Sequence, residues 1–436
     1  MMETAIGPNR LRDDVSLYSI DGLVPDVVAV PRSVQDVEKA MAAAWDQGLA
    51  VAPWGGGTRI QIGNAPERVD AVLDMSRLNR IVSHNPADLT ATVEAGITLD
   101  SLQQALADHG QLLAIDPPLP DRATVGGTLA TMASGPLRWQ YGHPRDLVIG
   151  LKVVQADGIS TKSGGEVVKN VSGYDMARLH IGALGTLGVI TEVSFKLTPL
   201  PRQQTTVLAG FNSIGSSIEA ALAVFHSHVV PLALTAFDQQ ANSRGRLTGM
   251  SGKALLAVRL GGRPRTLERQ VRECATLSKD QGASSVDTIE DADAKALWRG
   301  AADFGWDDDT VAPIQASASV LPAAVSDTVE AIRRTGGETE LQPAVIAHPA
   351  YGKVHVSWFH EDDAVSDDVA ACVLRDTRDA VHELGGSLLI ERCPLPVKGR
   401  LDVWDEVGES LSVMRRMKRQ YDPKGILNPG RFVGGI

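Results

Sequence analysis

Between Gly164 and Leu197 the chain reads GGEVVKNVSGYDMARLHIGALGTLGVITEVSFKL, with glycines at 182, 185 and 188. Tyr174, Met176 and Leu179 fall in a helix-like run before these glycines, and Val189, Ile190, Val193 and Phe195 follow with strand character. The direction is the constraint. A Rossmann dinucleotide site runs strand, glycine turn, helix, so that the diphosphate rests on a helix N-terminus. Here the order is reversed. The triplet closes a helix and brings backbone close to a neighbour, and a turn of this kind taken alone is more often packing than a ligand site.

Two further glycine loops precede it. The strand Leu49 to Pro53 runs into Trp54-Gly55-Gly56-Gly57-Thr58-Arg59. Backbone N–H groups of such a loop approach a diphosphate without Cβ atoms in the way, and Thr58 adds a hydroxyl. It is not a P-loop, and read by itself it is either a phosphate cradle or a flexible hinge. After the stiff turn Asp116-Pro117-Pro118-Leu119-Pro120 comes Thr124-Val125-Gly126-Gly127-Thr128-Leu129-Ala130-Thr131-Met132-Ala133-Ser134-Gly135, small and hydroxylated, suited to lie flat on an extended polar ligand. Around these loops the pattern alternates strands with capped helices. Ser33 caps a helix carrying Val34, Val37, Met41 and Trp45, and Thr98 caps one carrying Leu99, Leu102, Leu106 and His109. His109 reads as a packing residue.

Composition removes several function classes. The chain has 436 residues, enough for two or three domains. Its net charge of −11 gives no support to nucleic-acid binding. No apolar run reaches the length of a membrane span and the N-terminus lacks an apolar leader, which makes the cytoplasm the expected location, at most peripheral to a membrane through a partner. Cys274, Cys372 and Cys393 lie far apart, so this chain builds neither a four-cysteine cluster nor a zinc site from cysteine pairs. Cys274 and Cys372 read as buried small hydrophobes.

Taken in order, WGGGTR, DPPLPDRATVGGTLATMASG, YGHPRDLVIGLKVVQADG and KNVSGYDMARLHIGALGTLGVITEV resemble the FAD-binding domain of the vanillyl-alcohol oxidase/p-cresol methylhydroxylase (PCMH) class. The closing Tyr421-Asp422-Pro423-Lys424-Gly425-Ile426-Leu427-Asn428-Pro429-Gly430-Arg431 resembles the end of members with a flavin-linked-oxidase C-terminal domain. Within the class, GGSLLIERCPLPVKGRLDVWDEVG is similar to the FAD-binding, second flavin subunit of bacterial glycolate oxidases. The resemblance implies an α+β chain: an N-terminal segment (1–22), a two-subdomain PCMH-type FAD-binding domain (23–202), a ferredoxin-like cap (203–410) and a segment returning to the FAD domain (411–436). It assigns FAD to Trp54, Gly55, Gly56, Gly57, Thr58 and Arg59 at the pyrophosphate. Pro118, Thr124, Gly126, Gly127, Thr128, Thr131 and Ser134 fall beside the pyrophosphate and ribityl chain. Gly185, Gly188, Val189 and Ile190 fall at the adenine or ribose side, and Asn428 near the isoalloxazine. Relatives with covalent flavin often carry a histidine just after the first glycine run. Thr58 and Arg59 stand there instead, so the FAD is expected to be noncovalent.

Beyond the joint Thr198-Pro199-Leu200-Pro201, strands are expected at Leu232–Phe237, Ala254–Leu260, Ile314–Val320, Val354–Phe359 and Ser387–Glu391. Helices are expected near Ile214–His226, Arg265–Asp280, Pro322–Thr335 and Asp363–Leu384, giving an antiparallel sheet with helices on one face. Relatives that oxidise 2-hydroxy acids carry a His-Gly-Asp-Gly-Asn-x-His run that binds a divalent metal, and a later Glu-His-Gly. The matching stretches here are His348-Pro349-Ala350-Tyr351-Gly352-Lys353-Val354-His355 and Glu391-Arg392-Cys393, so no metal is expected. Arg392 stays protonated and suits a bidentate carboxylate clamp rather than a base. His355, on an alternating strand, is either a packing residue or the base.

The function implied is a flavin subunit of a glycolate or related 2-hydroxy acid oxidase/dehydrogenase, passing electrons from substrate through FAD to a partner. Its expected partners are a second flavin subunit and an iron–sulfur subunit. The alternatives are a non-catalytic accessory flavoprotein of that complex and a stand-alone D-lactate-type dehydrogenase. A synthase of the alkyl-dihydroxyacetone-phosphate type shares the fold, but the cap offers no basic phosphate-binding cluster.

Overall fold

Ser33 starts the first long helix. Its Oγ accepts the Asp36 N–H at 3.2 Å, the Asp36 carboxylate accepts the Arg32 N–H at 2.9 Å, and Gly48, at φ +66°, ends the helix. This helix, Val34–Gln47, buries Val37, Ala40, Met41 and Ala44. It joins β1 (Val27–Ala29) to β2 (Val51–Trp54), and both pair in parallel with β3 (Ala71–Asp74) in the order β1-β3-β2. The computed structural model describes residues 5–166, 174–336, 341–360 and 365–436.

A second layer of the same unit is a five-stranded antiparallel sheet. It uses β4 (Ile81–Asn85), β5 (Thr90–Glu94), β7 (Val148–Val154), β8 (Ser160–Gly164) and β9 (Val189–Lys196) in the order β4-β5-β9-β7-β8, with the small pair β6 (Gln111–Leu112) and β10 (Thr198–Pro199) beside it. Thr98 caps the helix Leu99–Ala107, as its spacing predicts. His109 is exposed beyond the helix end, its ring edge-on to His84 at 4.8 Å. The run ahead of the glycine triplet differs from expectation. Only Ala177–His180 is helical, and Tyr174 is 92% exposed, so no amphipathic helix forms there. Residues 167–173 of that motif lie outside the described residues. The stretch after Thr124 is also not an extended loop: Thr124 Oγ1 accepts the Gly127 N–H at 3.2 Å and caps the helix Val125–Ala130.

Two compact units result. The first comprises the chain up to Ser134, Gly142–Leu200 and Glu406–Ile436; the second comprises Gly135–Tyr141 and Pro201–Asp405. The second is built on an eight-stranded sheet in the order β14-β11-β13-β12-β16-β17-β15-β18, using β11 (Gln203–Phe211), β12 (Ala233–Asp238), β13 (Ala254–Gly262), β14 (Ser285–Ile289), β15 (Ile314–Ser319), β16 (Gln342–His348), β17 (Lys353–Phe359) and β18 (Ser387–Arg392). Strand alternation sorts its residues onto two faces. Val207, Val258, Ala316, Val356 and Ile390 pack beneath the helices Ile214–Phe225, Pro264–Asp280, Val325–Gly336 and Asp367–Glu383. The expectation of helices on one face holds for these four alone. Leu208, Phe237 and Leu255 point the other way and are covered by Ala241, Leu297 and Trp298 of the helices Gln239–Gly245 and Asp291–Asp303.

Cys274 is fully buried, and burial pushes its thiol up to about 12. Cys372 corrects the sequence reading: it is exposed, its Sγ 3.3 Å from Asp376 Oδ2. Among the described residues no helix is long and apolar enough to cross a membrane. Trp358 is the largest fully buried side chain and lies in the main core of the second unit. Trp358→Ala is expected to cost about 3–5 kcal/mol, read as a fall in the midpoint of chemical denaturation.

Candidate functional site

The first unit carries a continuous groove whose walls are the three glycine segments and the C-terminal turn. Gly55, Gly56, Gly57, Thr58, Arg59, Thr124, Gly127, Thr131 and Asn428 line one part of it. Trp54, Gly126, Gly185, Gly188, Val189 and Ile190 line the adjoining part, which shares Gly55, Thr124 and Gly127 with the first. Fifteen of the positions expected from the sequence thus meet at one place. Pro118 and Ser134 do not line it, and Thr128 lies buried in the adjacent helix.

The glycines work differently from the sequence expectation. A Cβ on Gly56 falls 1.8 Å from the Arg122 carbonyl oxygen, and one on Gly188 falls 2.4 Å from Val153 Cγ1. Both positions exclude a side chain because neighbouring protein occupies the place of the Cβ. The groove exists because its walls close on each other this tightly. A sequence shows that a Cβ is excluded there, but not which neighbour excludes it.

The C-terminal turn supplies the remaining wall. Lys418, near the end of the helix Ser410–Tyr421, donates from Nζ to Asp422 Oδ2 at 2.8 Å, to the Leu427 carbonyl at 2.8 Å and to the Thr186 carbonyl at 2.9 Å. Asp422 in turn accepts the N–H groups of Ile426 and Leu427. Val51 N–H donates to the Ile426 carbonyl and Asn428 N–H to the Val51 carbonyl, which seats the turn along β2. Asn428 is held at φ +45°, is 3% exposed, and donates its Nδ2 to the Leu184 carbonyl at 2.5 Å. That bond fixes the amide, and its Oδ1 has no hydrogen-bond partner.

A flavin dinucleotide fits this groove on the structure's own terms. Asn428 Oδ1, which lines the groove, lacks a partner, a condition that costs free energy until a polar ligand relieves it. The part of the groove beside Gly55–Arg59 is lined by two cations, Arg59 and Arg431, and by no carboxylate among the described residues. Its only other polar linings are hydroxyls, an amide and glycine backbone. Arg431 is a charged lining residue that sequence reading passes over, along with apolar ones such as Ile60 and Leu184. The arginine stands inside the quoted closing motif, so the signal was a cation three residues after Asn428.

In the second unit a polar patch lies on β17, β15 and β18. His355 is opposite Ser317 in the register, and Ser317 Oγ donates to Glu391 Oε1 at 3.1 Å. Gln315 pairs with Arg392 and Ala316 with Ile390, so Glu391 is the extra residue of a β-bulge. A bulge interrupts the alternation and re-aims a side chain. Arg392 therefore joins Gln315, Ser317 and His355 instead of following Ile390 into the core. Its guanidinium lies 5.6 Å from the Trp306 ring centre. His355 Nδ1 is 3.8 Å from Glu391 Oε2, and Glu391 is 3% exposed.

His348, the other histidine of the motif, is a structural tie. Its Nδ1 lies 3.0 Å from Thr235 Oγ1 and its ring stacks on Tyr351. Burial holds it well below its ordinary pKa, with His355, Arg138 and Lys353 adding to the effect and the Leu234 backbone opposing it. Among the described residues no three His, Cys, Asp or Glu side chains are grouped to hold a metal ion.

Two family models match the chain: the FAD binding domain over residues 25–163, and the C-terminal domain of FAD linked oxidases over 200–391 and 403–432, more than half of the chain. The chain belongs to the FAD-linked oxidases. Curated relatives include glycolate oxidase subunit GlcD of Bacillus subtilis, 28% identical over 98% of this chain and 94% of that protein. The mitochondrial D-lactate dehydrogenase [cytochrome] of Arabidopsis thaliana is 29% identical over 94% of this chain and 74% of that protein. D-2-hydroxyglutarate dehydrogenase of Xanthomonas citri is 29% identical over 94% of this chain and 89% of that protein. Among solved structures, p-cresol methylhydroxylase shares the fold with a TM-score of 0.78 at 16% identity, covering 99% of this chain and 95% of its own. Alkyldihydroxyacetonephosphate synthase shares it at 0.71 and 18%, covering 98% and 84%. FAD is thus the cofactor of this oxidoreductase.

Two predictions follow from the groove of this FAD-linked oxidase. Gly56→Ala is expected to cost most of the FAD retained on purification, although the methyl points at Arg122 and not at the ligand; the flavin-to-protein absorbance ratio measures it. His180, whose ring lies beside Gly188, is 7% exposed, and burial lowers its pKa to about 4. The unfolded chain binds this proton near pH 6.5 and the folded chain only near pH 4, so folding stability falls as pH drops through that window. The expected loss is about 3 kcal/mol at the acid end. Denaturation midpoints between pH 7 and 4 should fall less steeply in His180→Phe.

Proposed function

We propose that the chain oxidises a small 2-hydroxy acid, such as glycolate or D-lactate, as the flavin subunit of a complex that passes electrons onward. One observation carries the reading: the bulge at Glu391, which turns Arg392 to the same sheet face as His355, across β15. A carboxylate clamp and a proton acceptor on one surface are what a 2-hydroxy acid requires. Relatives named for glycolate, D-lactate and D-2-hydroxyglutarate support that substrate class.

When bound, FAD supplies a two-electron acceptor for the substrate α-carbon. The rest falls to side chains. Arg392 holds the carboxylate through its planar fork, and its contact with Trp306 limits how far the guanidinium swings. His355 takes the hydroxyl proton at Nε2 while Nδ1 faces Glu391. The flavin is noncovalent in this reading, since the described residues lining the groove include no His, Cys or Tyr. Pro118 and Ser134 support the groove from outside its lining.

A second reading is favoured by His348, which is bound to β12 and not grouped with other metal ligands. In that reading the chain is an accessory flavoprotein, active only with a second flavin subunit and an iron–sulfur subunit, and peripheral to a membrane through them. Anaerobic addition of glycolate and of D-lactate to the purified, flavin-loaded chain tests both. Bleaching of the flavin, lost in Arg392→Met and slowed at least tenfold in His355→Gln, is the expected result. Bleaching only after partner subunits are added supports the accessory role. No bleaching in either case overturns the proposal.

A further inference from the structure

We infer that the second unit carries a binding site for a short zwitterionic peptide, laid along an uncovered edge of β11. A cavity of about 490 Å³ lies there, lined wholly by residues of that unit and within the size range of small-molecule sites. Its position follows from where a ladder stops. β13 pairs with β11 along its whole length, Gln203 to Phe211, whereas β14 pairs only with Thr206 to Gly210. Glu290 is still extended, but Asp291 takes φ +46° and the chain leaves the sheet as the helix Asp291–Asp303. On that side no strand of the described residues pairs with Gln203, Gln204 or Thr205, and all three line the cavity. Backbone groups of a strand turn to alternate sides, so part of this stretch offers N–H and C=O groups to an occupant.

Charge selects the occupant. Arg202, Glu290, Asp291 and Lys295 are exposed on the cavity lining, and none of these four side chains makes an ion pair or hydrogen bond with the described residues. Asp291 and Lys295 are even one helical turn apart, the spacing at which such a pair closes, yet no bridge forms. The two signs are also separated. Glu290 follows the residue paired with Thr206, so the acidic pair stands at one end of the uncovered edge, and Arg202 stands at the other, about 10 Å away at the rise of a strand. An extended tripeptide spans about the same distance. Its ammonium meets Glu290 and Asp291, its carboxylate meets Arg202, and its peptide groups meet the β11 edge. Trp298, whose Nε1–H is committed to Thr206 Oγ1 at 2.8 Å, supplies a fixed apolar wall. The site is distinct from the polar patch, because β13, β12 and β16 lie between β11 and His355 on β17.

The inference is independent of which acid is oxidised, and its test uses binding alone. The flavin-loaded full chain is titrated calorimetrically with triglycine, with N-acetyl-triglycine, which keeps only the carboxylate, and with triglycine amide, which keeps only the ammonium. Triglycine is expected to bind at least about fivefold tighter than either control. Arg202→Met should weaken triglycine about fivefold and leave triglycine amide unchanged. Glu290→Gln combined with Asp291→Asn should weaken triglycine by a similar factor and spare N-acetyl-triglycine. These side chains are exposed, and retained flavin confirms that each variant is folded. The inference is overturned if triglycine does not bind up to about 10 mM, if either control binds as tightly, or if neither variant changes its affinity.

Discussion

The cofactor groove depends on one buried ion pair, Lys418–Asp422. Lys418 is lowered in pKa by burial, and the Asp422 carboxylate, its strongest opposing influence, sits 2.8 Å away. Neither group would be tolerated there alone, because an unpaired buried charge typically costs about 3–5 kcal/mol. Paired, they satisfy the backbone of a turn that no regular ladder supports. Asp422 takes the Ile426 and Leu427 N–H groups, and Lys418 takes the Leu427 and Thr186 carbonyls. This fixes the turn to β2 on one side and to the loop after the glycine triplet on the other. Asn428 and Arg431 reach the groove because this turn is held.

The same logic of close backbone packing explains the glycines. Gly55 excludes a Cβ because Thr124 Oγ1 would lie 2.2 Å from it, and Gly185 sits at φ +71°, a backbone conformation that side chains rarely adopt. The groove is thus a seam where chain segments distant in sequence meet without side chains between them. A ligand entering it meets glycine backbone, hydroxyls and two arginines together with apolar side chains such as Ile60, Leu184, Val189 and Ile190.

The polar patch of the second unit rests on a different device. In a regular strand Arg392 would share the face of Ile390 and enter the core. The extra residue at Glu391 changes that by one position, and the cation turns to the side of Ser317 and His355. A single irregularity in the ladder thus separates a core residue from a substrate-binding candidate.

Much of this was legible in the chain itself. The capped helices at Ser33 and Thr98 and the strands β9, β12, β13, β15, β17 and β18 follow from local patterns of apolar residues and turn chemistry. β11, β14 and β16 and the helix Asp291–Asp303 did not. β14 is mostly exposed, so its pairing comes from its neighbour β11 and not from its own hydrophobicity. By itself the sequence determined where glycine is required, where helices start and which residue types are available for the site. Only the tertiary structure decided which neighbour each glycine admits, that Tyr174 stays in solvent, that Arg431 reaches the groove, and which way Arg392 turns. Those outcomes depend on contacts between segments hundreds of residues apart and on a one-residue register shift, and no local propensity encodes either.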